Sequence, residues 1–326
     1  PDGRPYDDPA AMSRALIAAA RDTGIRMTLL PVLYMTGGFD GRALSARQQR
    51  FGHEVEGFLR LLRTLRAEEN PSLRIGCAFH SLRAVPEVAM REVLAALPVD
   101  APVHLHISEQ IGEVQDCLAL RGARPVEWLQ QNFEVDPRWT LVHATHLTEI
   151  ETRQLAASGA TVAICPTTEA NLGDGLFPLR AWLEAGGAWG IGSDSHVSVS
   201  PVEELRWLEY GQRLATRHRN VAARVQGESV GETRWRAALL RGVLASARQS
   251  TGQAGEGDFV VLDTEAAIFA GVKADDAIDR WIFSGNRNAI REVHVGGKRV
   301  VADGRHADRD AIAARYRRTL QALLTD

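Results

Sequence analysis

The stretch VHLHISEQIGEVQDCLALRGARPVEWLQQNFEVDPRWTLVHATHL (Val103–Leu147) holds one full period of the pattern that decides the fold. An apolar run of strand length, Pro102 to Ile107, carries His106 near its end. Helical patterns follow around Ile111 to Leu120 and Val126 to Asn132, and a second apolar run, Trp139 to Val142, leads into His143. Strands alternating with helices build a parallel sheet whose C-terminal strand ends share one face. Residues far apart in the chain therefore meet at that face.

The same unit repeats on both sides. Upstream, a helix from Pro9 to about Asp22 is stopped by Gly24, and Arg26 to Tyr34 reads as a buried strand. Thr36 to Gly41 reads as a Gly-rich loop. Gln48 to Glu68 has apolar residues at Phe51, Val55, Phe58, Leu59 and Leu62, a helical period. Strand Leu73 to Phe79 leads into CAFHSLRA, with His80 and Arg83, and a helix spans Pro86 to Leu97. Downstream, Thr148 with Glu151 three residues later is a capping-box signature. Strand Thr161 to Cys165, the polar stretch CPTTEANLGDG (Cys165 to Gly175), helix Pro178 to Ala185 and strand Ala188 to Ile191 come next. GIGSDSH (Gly190 to His196) follows that last strand, and helices are expected over Pro201 to Arg217 and Thr233 to Gln249. CPTTEANLGDG reads as a site-forming loop, its GDG as a turn.

Six strands with intervening helices predict an α/β fold, a (β/α)8 TIM-type barrel whose first two strand–helix units precede residue 1. Beyond Gly252 the pattern changes. Gly255 to Asp263 reads as a strand, Arg291 to Gly304 as two strands joined at Gly296-Gly297, and Asp308 to Leu324 as a terminal helix. The expected division is a barrel over residues 1–250 and part of a small β-sandwich plus helix over 251–326.

Composition narrows the class. With 326 residues, 45% hydrophobic and 24% charged, the chain has enough apolar side chains for a large core. A net charge of −3 gives no reason to expect nucleic acid or an anionic membrane as partner. Three cysteines without CxxC spacing suggest neither a disulfide framework nor a thiolate metal site. No apolar stretch reaches the roughly 18 residues of a membrane span. A cytoplasmic homodimer acting on a small molecule is the expectation.

The residues at the strand ends spell a metal hydrolase. Imidazole nitrogens with a carboxylate suit zinc, and a catalytic zinc keeps one position for water. His104 and His106 share strand parity; His106 is placed at the mouth and His104 deeper in the core. Glu109 either reaches over the metal or serves as a helix N-terminal acid. His143 either ligates metal or polarises developing charge. Asp194 either takes a proton from a metal-activated water or makes an Asx turn before Pro201. His80 supplies a neutral donor. Arg83, a permanent planar cation, suits a substrate carboxylate, with a surface ion pair as the alternative. His146 stays unassigned as a rim residue, and His196 lies too close after Asp194 to ligate.

These segments together resemble the amidohydrolase superfamily, and within it the formimidoylglutamate deiminases. LLPVLY, FHSLRAV, HLHISEQIGEV, RPVEWL, LVHATH, CPTTEANLGDG, GIGSDSH and GKRVVADGRH carry the resemblance along nearly the whole chain. It implies one catalytic zinc in a barrel that bears a small β-sandwich. It further implies His106 and Asp194 as zinc ligands, Glu109, His143 and Asp194 as catalytic groups, and His80 with Arg83 as the hold on a glutamate-like substrate. The family's HxH ligand pair has no counterpart here, so two further histidine ligands are expected upstream of residue 1, in a segment on the order of 100 residues. The implied reaction is hydrolysis of N-formimino-L-glutamate to N-formyl-L-glutamate and ammonia. Rival readings are an aminohydrolase of a nucleobase or other ring, which needs stacking aromatics and no Arg83, and a non-catalytic barrel scaffold.

Overall fold

Two strands of the wall are each made of two pieces. The computed structural model describes residues 6–221, 229–231 and 257–325. In it β1 (Met27–Leu29) and β2 (Val32–Leu33) follow one line, and β3 (Leu73–Ile75) and β4 (Cys77–Ser81) the next. β1 pairs with β3 and β2 with β4, both in parallel. The expected strands Arg26–Tyr34 and Leu73–Phe79 are interrupted for local reasons. Pro31 has no N–H to give a ladder. Gly76 sits so tightly that a Cβ there would lie 2.6 Å from Leu30 and 2.9 Å from the Pro102 carbonyl.

The remaining strands are β5 (Val103–Ile107), β6 (Trp139–His143), β7 (Thr161–Ile164) and β8 (Ala188–Ile191). Each pairs in parallel with its predecessor, in sequence order. This is α/β architecture of the (β/α)8 TIM type, seen here as an arc of six strand lines. One row of directly paired residues crosses it: Leu33, Phe79, Leu105, Leu141, Val162 and Trp189. The first five are fully buried. They share one core with Phe58, Leu62 and Leu65 of α2 (Val55–Arg66), Met90 and Val93 of α3 (Glu87–Ala96), and Trp182 farther along. Burying each such side chain stabilises the fold by roughly 1.5–3 kcal/mol relative to exposure. Side chains alternate along a strand, so His104 and His106 take the opposite parity to Leu105, toward the barrel interior.

Several helices form where the local signals place them. α1 (Ala11–Thr23) ends at Gly24 with φ 72°, a left-handed cap. α4 (Ile111–Arg121) and α5 (Pro125–Asn132) connect β5 to β6. α6 (Glu149–Ala157) opens with the anticipated capping box: the Glu151 N–H donates to Thr148 Oγ1 at 3.2 Å, and the Thr148 N–H to Glu151 Oε2 at 2.9 Å. Two expectations need correction. The helix anticipated over Gln48–Glu68 begins at Val55, because Gln49–Phe51 is a 3-10 turn closed by Gly52 in extended backbone. The stretch Cys165–Gly175, read as a loop, contains α7 (Pro166–Leu172). Proline suits the first helical position, where an N–H would be unpaired, and Gly173 with φ 75° ends the helix. α8 (Leu179–Glu184) and α9 (Pro201–Thr216) complete the barrel helices among the described residues. The helix expected over Thr233–Gln249 lies outside the described residues.

A four-stranded antiparallel sheet follows: β9 (Phe259–Leu262), β10 (Ile290–Val295), β11 (Lys298–Ala302) and β12 (Arg305–His306), in the order β12-β11-β10-β9. Gly296 and Gly297, with φ 57° and 76°, make the two-residue turn between β10 and β11. A helix at Ala277–Phe283 and the short β12 were not foreseen. Phe269, Trp281, Ala266 and Ala289 form a small core of their own, with Val202 of α9 packed on it. The terminal helix spans Arg309–Thr325. Cys77, Cys117 and Cys165 are all buried and free. Among the described residues no helix is long and apolar enough to cross a membrane.

Candidate active site

His143, the last residue of β6, is the hub of the barrel mouth. Its Nε2 lies 3.7 Å from Glu109 Oε1 and 3.9 Å from Asp194 Oδ2. Its ring centre is 5.7 Å from that of His106, which is 5.4 Å from that of His80. Arg83 is near enough for its charge to act on His80, His106 and Glu109. The six residues singled out from the sequence therefore meet at one end of the barrel.

His80 is the extra residue of a bulge: Phe79 faces Leu105 and Ser81 faces His106, leaving His80 between them. Its ring meets Tyr34 edge-on at 4.4 Å. Its carbonyl accepts a hydrogen bond from His106 Nδ1 at 2.7 Å. A carbonyl can only accept, so His106 carries its proton on Nδ1 and keeps the Nε2 lone pair. That is the arrangement by which an outer hydrogen bond orients a metal-ligating imidazole. Among the described residues the Arg83 side chain has neither a hydrogen bond nor an ion pair, although its carbonyl accepts from Thr36 Oγ1.

Burial divides the ionisable groups into neutral and charged. It lowers His80 to about 3, with the charges of His106 and Arg83 acting the same way. It lowers His106 too, against the pull of the His80 carbonyl bond. Burial raises Glu109, opposed by His143. For His143, burial works against the charged form, but the Glu169 hydrogen bond and the carboxylates of Glu109 and Asp194 prevail, so its affinity for a proton is raised. Neutral imidazoles thus stand beside one imidazole held in a cage of acids.

The donor set fits a divalent metal. His106 offers a neutral nitrogen and Asp194 a carboxylate, both suited to zinc. Another group, His143, Cys165 and Glu169, has its ligand atoms within 4.8 Å of one another. There His143 Nδ1 already donates to Glu169 Oε1 at 3.3 Å, and burial, with nearby carboxylates, pushes the Cys165 thiol far up. That group reads as a hydrogen-bonded support beside the site.

The backbone at the mouth is strained. Ser108, His143, Ala144, Asp194 and His196 have φ of 51°, 68°, 50°, 40° and 57°. Non-glycine residues rarely take this region, and where they do they cluster at functional sites.

Sequence reasoning missed three neighbours. Glu169 bonds His143 from α7. Glu113 accepts the Glu109 N–H at 3.0 Å. Tyr34 closes over His80. All three sit in the quoted motifs, but acids near a helix start and an aromatic at a strand end are common enough to pass unremarked. His146 is tied by its N–H to the Ser108 carbonyl at 3.1 Å, and His196 is exposed.

A parallel α/β barrel with such a mouth is the architecture of metal-dependent hydrolases, and residues 6–238 match the amidohydrolase family. The chain belongs to that family. It is 48% identical to the formimidoylglutamate deiminase of Pseudomonas aeruginosa, over 99% of this chain and 72% of that protein. A solved amidohydrolase from Brucella melitensis is 44% identical, with a TM-score of 0.92 over 99% of this chain and 72% of its own. A zinc-bound adenosine deaminase from Xanthomonas campestris, 23% identical, shares the fold with a TM-score of 0.76 over 95% of this chain and 69% of its own.

Proposed function

We propose that this hydrolase converts N-formimino-L-glutamate and water to N-formyl-L-glutamate and ammonia, a step of histidine degradation, with zinc at the barrel mouth. The convergence of His106, Glu109, His143 and Asp194 beside Arg83, whose side chain has no partner among the described residues, carries this reading. The 48% identity to a formimidoylglutamate deiminase supports it. A reduced cytoplasmic setting suits three buried free thiols, and a homodimer completes the reading.

His106 Nε2 and Asp194 would hold the zinc. A zinc there would acidify a water and stabilise negative charge. The protein's own groups manage position and protons. Arg83 grips a substrate carboxylate with its planar fork, and His80, kept neutral, donates beside it. Asp194 takes a proton as water adds to the formimino carbon. Glu109, with its proton affinity raised by burial, delivers a proton to the nitrogen that leaves as ammonia. His143 presents Nε2 to charge developing at the carbon.

Ammonia release from formiminoglutamate by the zinc-loaded protein tests the reading. Arg83→Met should raise KM roughly 10–100-fold, the worth of a charge-assisted hydrogen bond, and leave metal content unchanged. Unchanged kinetics, or a preference for an uncharged amidine or a nucleobase, would overturn the substrate assignment.

A further inference from the structure

Helix α7 touches both working ends of the site. On one side Glu169 Oε1 receives His143 Nδ1 at 3.3 Å and the Cys165 N–H at 2.9 Å. Glu169 is 4% exposed, so this acceptor is shielded from bulk water. On the other side Thr168 Oγ1 lies 2.9 Å from Ser195 Oγ and 3.4 Å from the Ser193 carbonyl, and it accepts the Ser195 N–H at 3.2 Å. Those contacts bracket Asp194, whose φ is 40°. The helix itself is pinned from behind. Glu204 of α9, 2% exposed, takes the Thr167 N–H at 3.0 Å and the Thr167 hydroxyl at 2.6 Å.

Seven residues are too few for a helix to hold itself in water. Three consecutive side chains, Thr167, Thr168 and Glu169, instead tie α7 to α9, to the Asp194 turn and to His143. We propose that Glu169 is the positioning residue for His143, and that Thr168 does the same for Asp194. With Nδ1–H committed to Glu169, the His143 ring has one orientation and always presents Nε2 to Glu109 and Asp194. Without that acceptor the ring turns about its χ2 torsion, and Nε2 leaves the reacting side for part of the time. Thr168 and Glu169 of the polar stretch after β7 thus fix two groups of the site. The kinetic half of this inference rests on the proposed reaction. The geometric half does not.

Three variants of the metal-loaded, full-length protein test it. Glu169→Ala should lower kcat roughly 10–100-fold with KM changed less than about twofold, the size of effect seen when an outer partner is lost. Glu169→Gln, whose carbonyl can still accept from Nδ1, should restore most of the loss. Labelling histidine with 15N reads the geometry without substrate: one Nδ1–H form of His143 in the wild type and in Glu169→Gln, and mixed forms in Glu169→Ala. An alanine variant with normal kcat, an unchanged His143 signal in it, or a uniform fall in kcat and Tm that glutamine fails to rescue would each overturn the assignment. Thr168→Val should weaken metal affinity about tenfold and leave the His143 signal intact; unchanged affinity and kcat would remove Thr168 from the proposal. Should the wild type leave formiminoglutamate untouched, the substrate reading fails while the 15N signature still decides this one.

Discussion

At the barrel mouth left-handed backbone is carried by residues with side chains; in the antiparallel sheet it is carried mainly by glycine. Ser108, His143, Ala144, Asp194 and His196 hold it at the mouth, and Gly257, Gly296, Gly297 and Gly304, with Asp303 alone, hold it around β9–β12. A hairpin turn only has to turn, and glycine does that without steric cost. A strand end in the site must also present an imidazole or a carboxylate. The fold therefore tolerates strain there, of order 1–3 kcal/mol per residue, and offsets it with cross-strand bonds. The Ala144 N–H donates to the Ile107 carbonyl at 3.0 Å, and the His146 N–H to the Ser108 carbonyl, locking the turn after β6 to β5.

If the mouth is specialised for chemistry rather than stability, the largest effects there should be kinetic. Glu109→Gln keeps shape and hydrogen bonding but cannot move a proton. Turnover should fall by roughly 10²–10⁴, with metal content and Tm near those of the wild type. Near-normal ammonia release would reduce Glu109 to the helix-start acid that its position also allows.

Glu113 sharpens the contrast through pH. Its carboxylate supports the Glu109 N–H, and its Oε1 is sealed from solvent with no partner among the described residues. Burial raises it to about 7, against the Ser108 and Glu109 N–H bonds and the charge of Arg83. Its folded value thus lies above the unfolded one near 4.5, so the native state holds a proton that the unfolded chain has released. Stability contributed by this group is present below about 4.5 and is lost as pH rises to about 7. Glu113→Gln has no such proton. Its Tm should gain on the wild type between pH 5 and pH 8, and a pH-independent difference would show that Glu113 is solvated.

A smaller effect belongs to the other region. Gly297 has φ 76° and nothing within 4 Å of a would-be Cβ, so Gly297→Ala meets backbone strain alone. It should cost about 1–2 kcal/mol by urea unfolding. A neutral result would mean that the turn relaxes and that its glycine is not there for φ.

Much of this was legible in the residues. Strand-length apolar runs ending in His106, His143 and the GIGSDSH turn announced parallel strands with a polar mouth, and Thr148 with Glu151 announced the start of α6. The rest depended on partners that are remote in the chain. α7 is written in proline, threonine and glycine, a loop composition, and is helical because Glu204, 37 residues on, receives Thr167. Glu169 has the look of any acid at a helix start until β6 brings His143 against it. The break at Gly76 follows from Leu30 and Pro102 pressing on it, which no local pattern contains.

The smallest effect gives the finest test of the comparison. Ala144 is fully buried with φ 50°, and Ala78 of β4 is 5% exposed in ordinary strand backbone. Replacing either by glycine removes one buried methyl, worth about 0.8 kcal/mol, and frees the unfolded chain, worth roughly 0.5–1 kcal/mol. Ala78→Gly should therefore lose about 1–2 kcal/mol. At Ala144 the same losses meet a gain, because glycine relieves roughly 1–2 kcal/mol of left-handed strain. The two nearly cancel, so Ala144→Gly should unfold within about 0.5 kcal/mol of the wild type. If Ala144→Gly instead loses as much as Ala78→Gly, the left-handed turn after His143 stores no strain, and the mouth differs from the hairpins in its side chains alone.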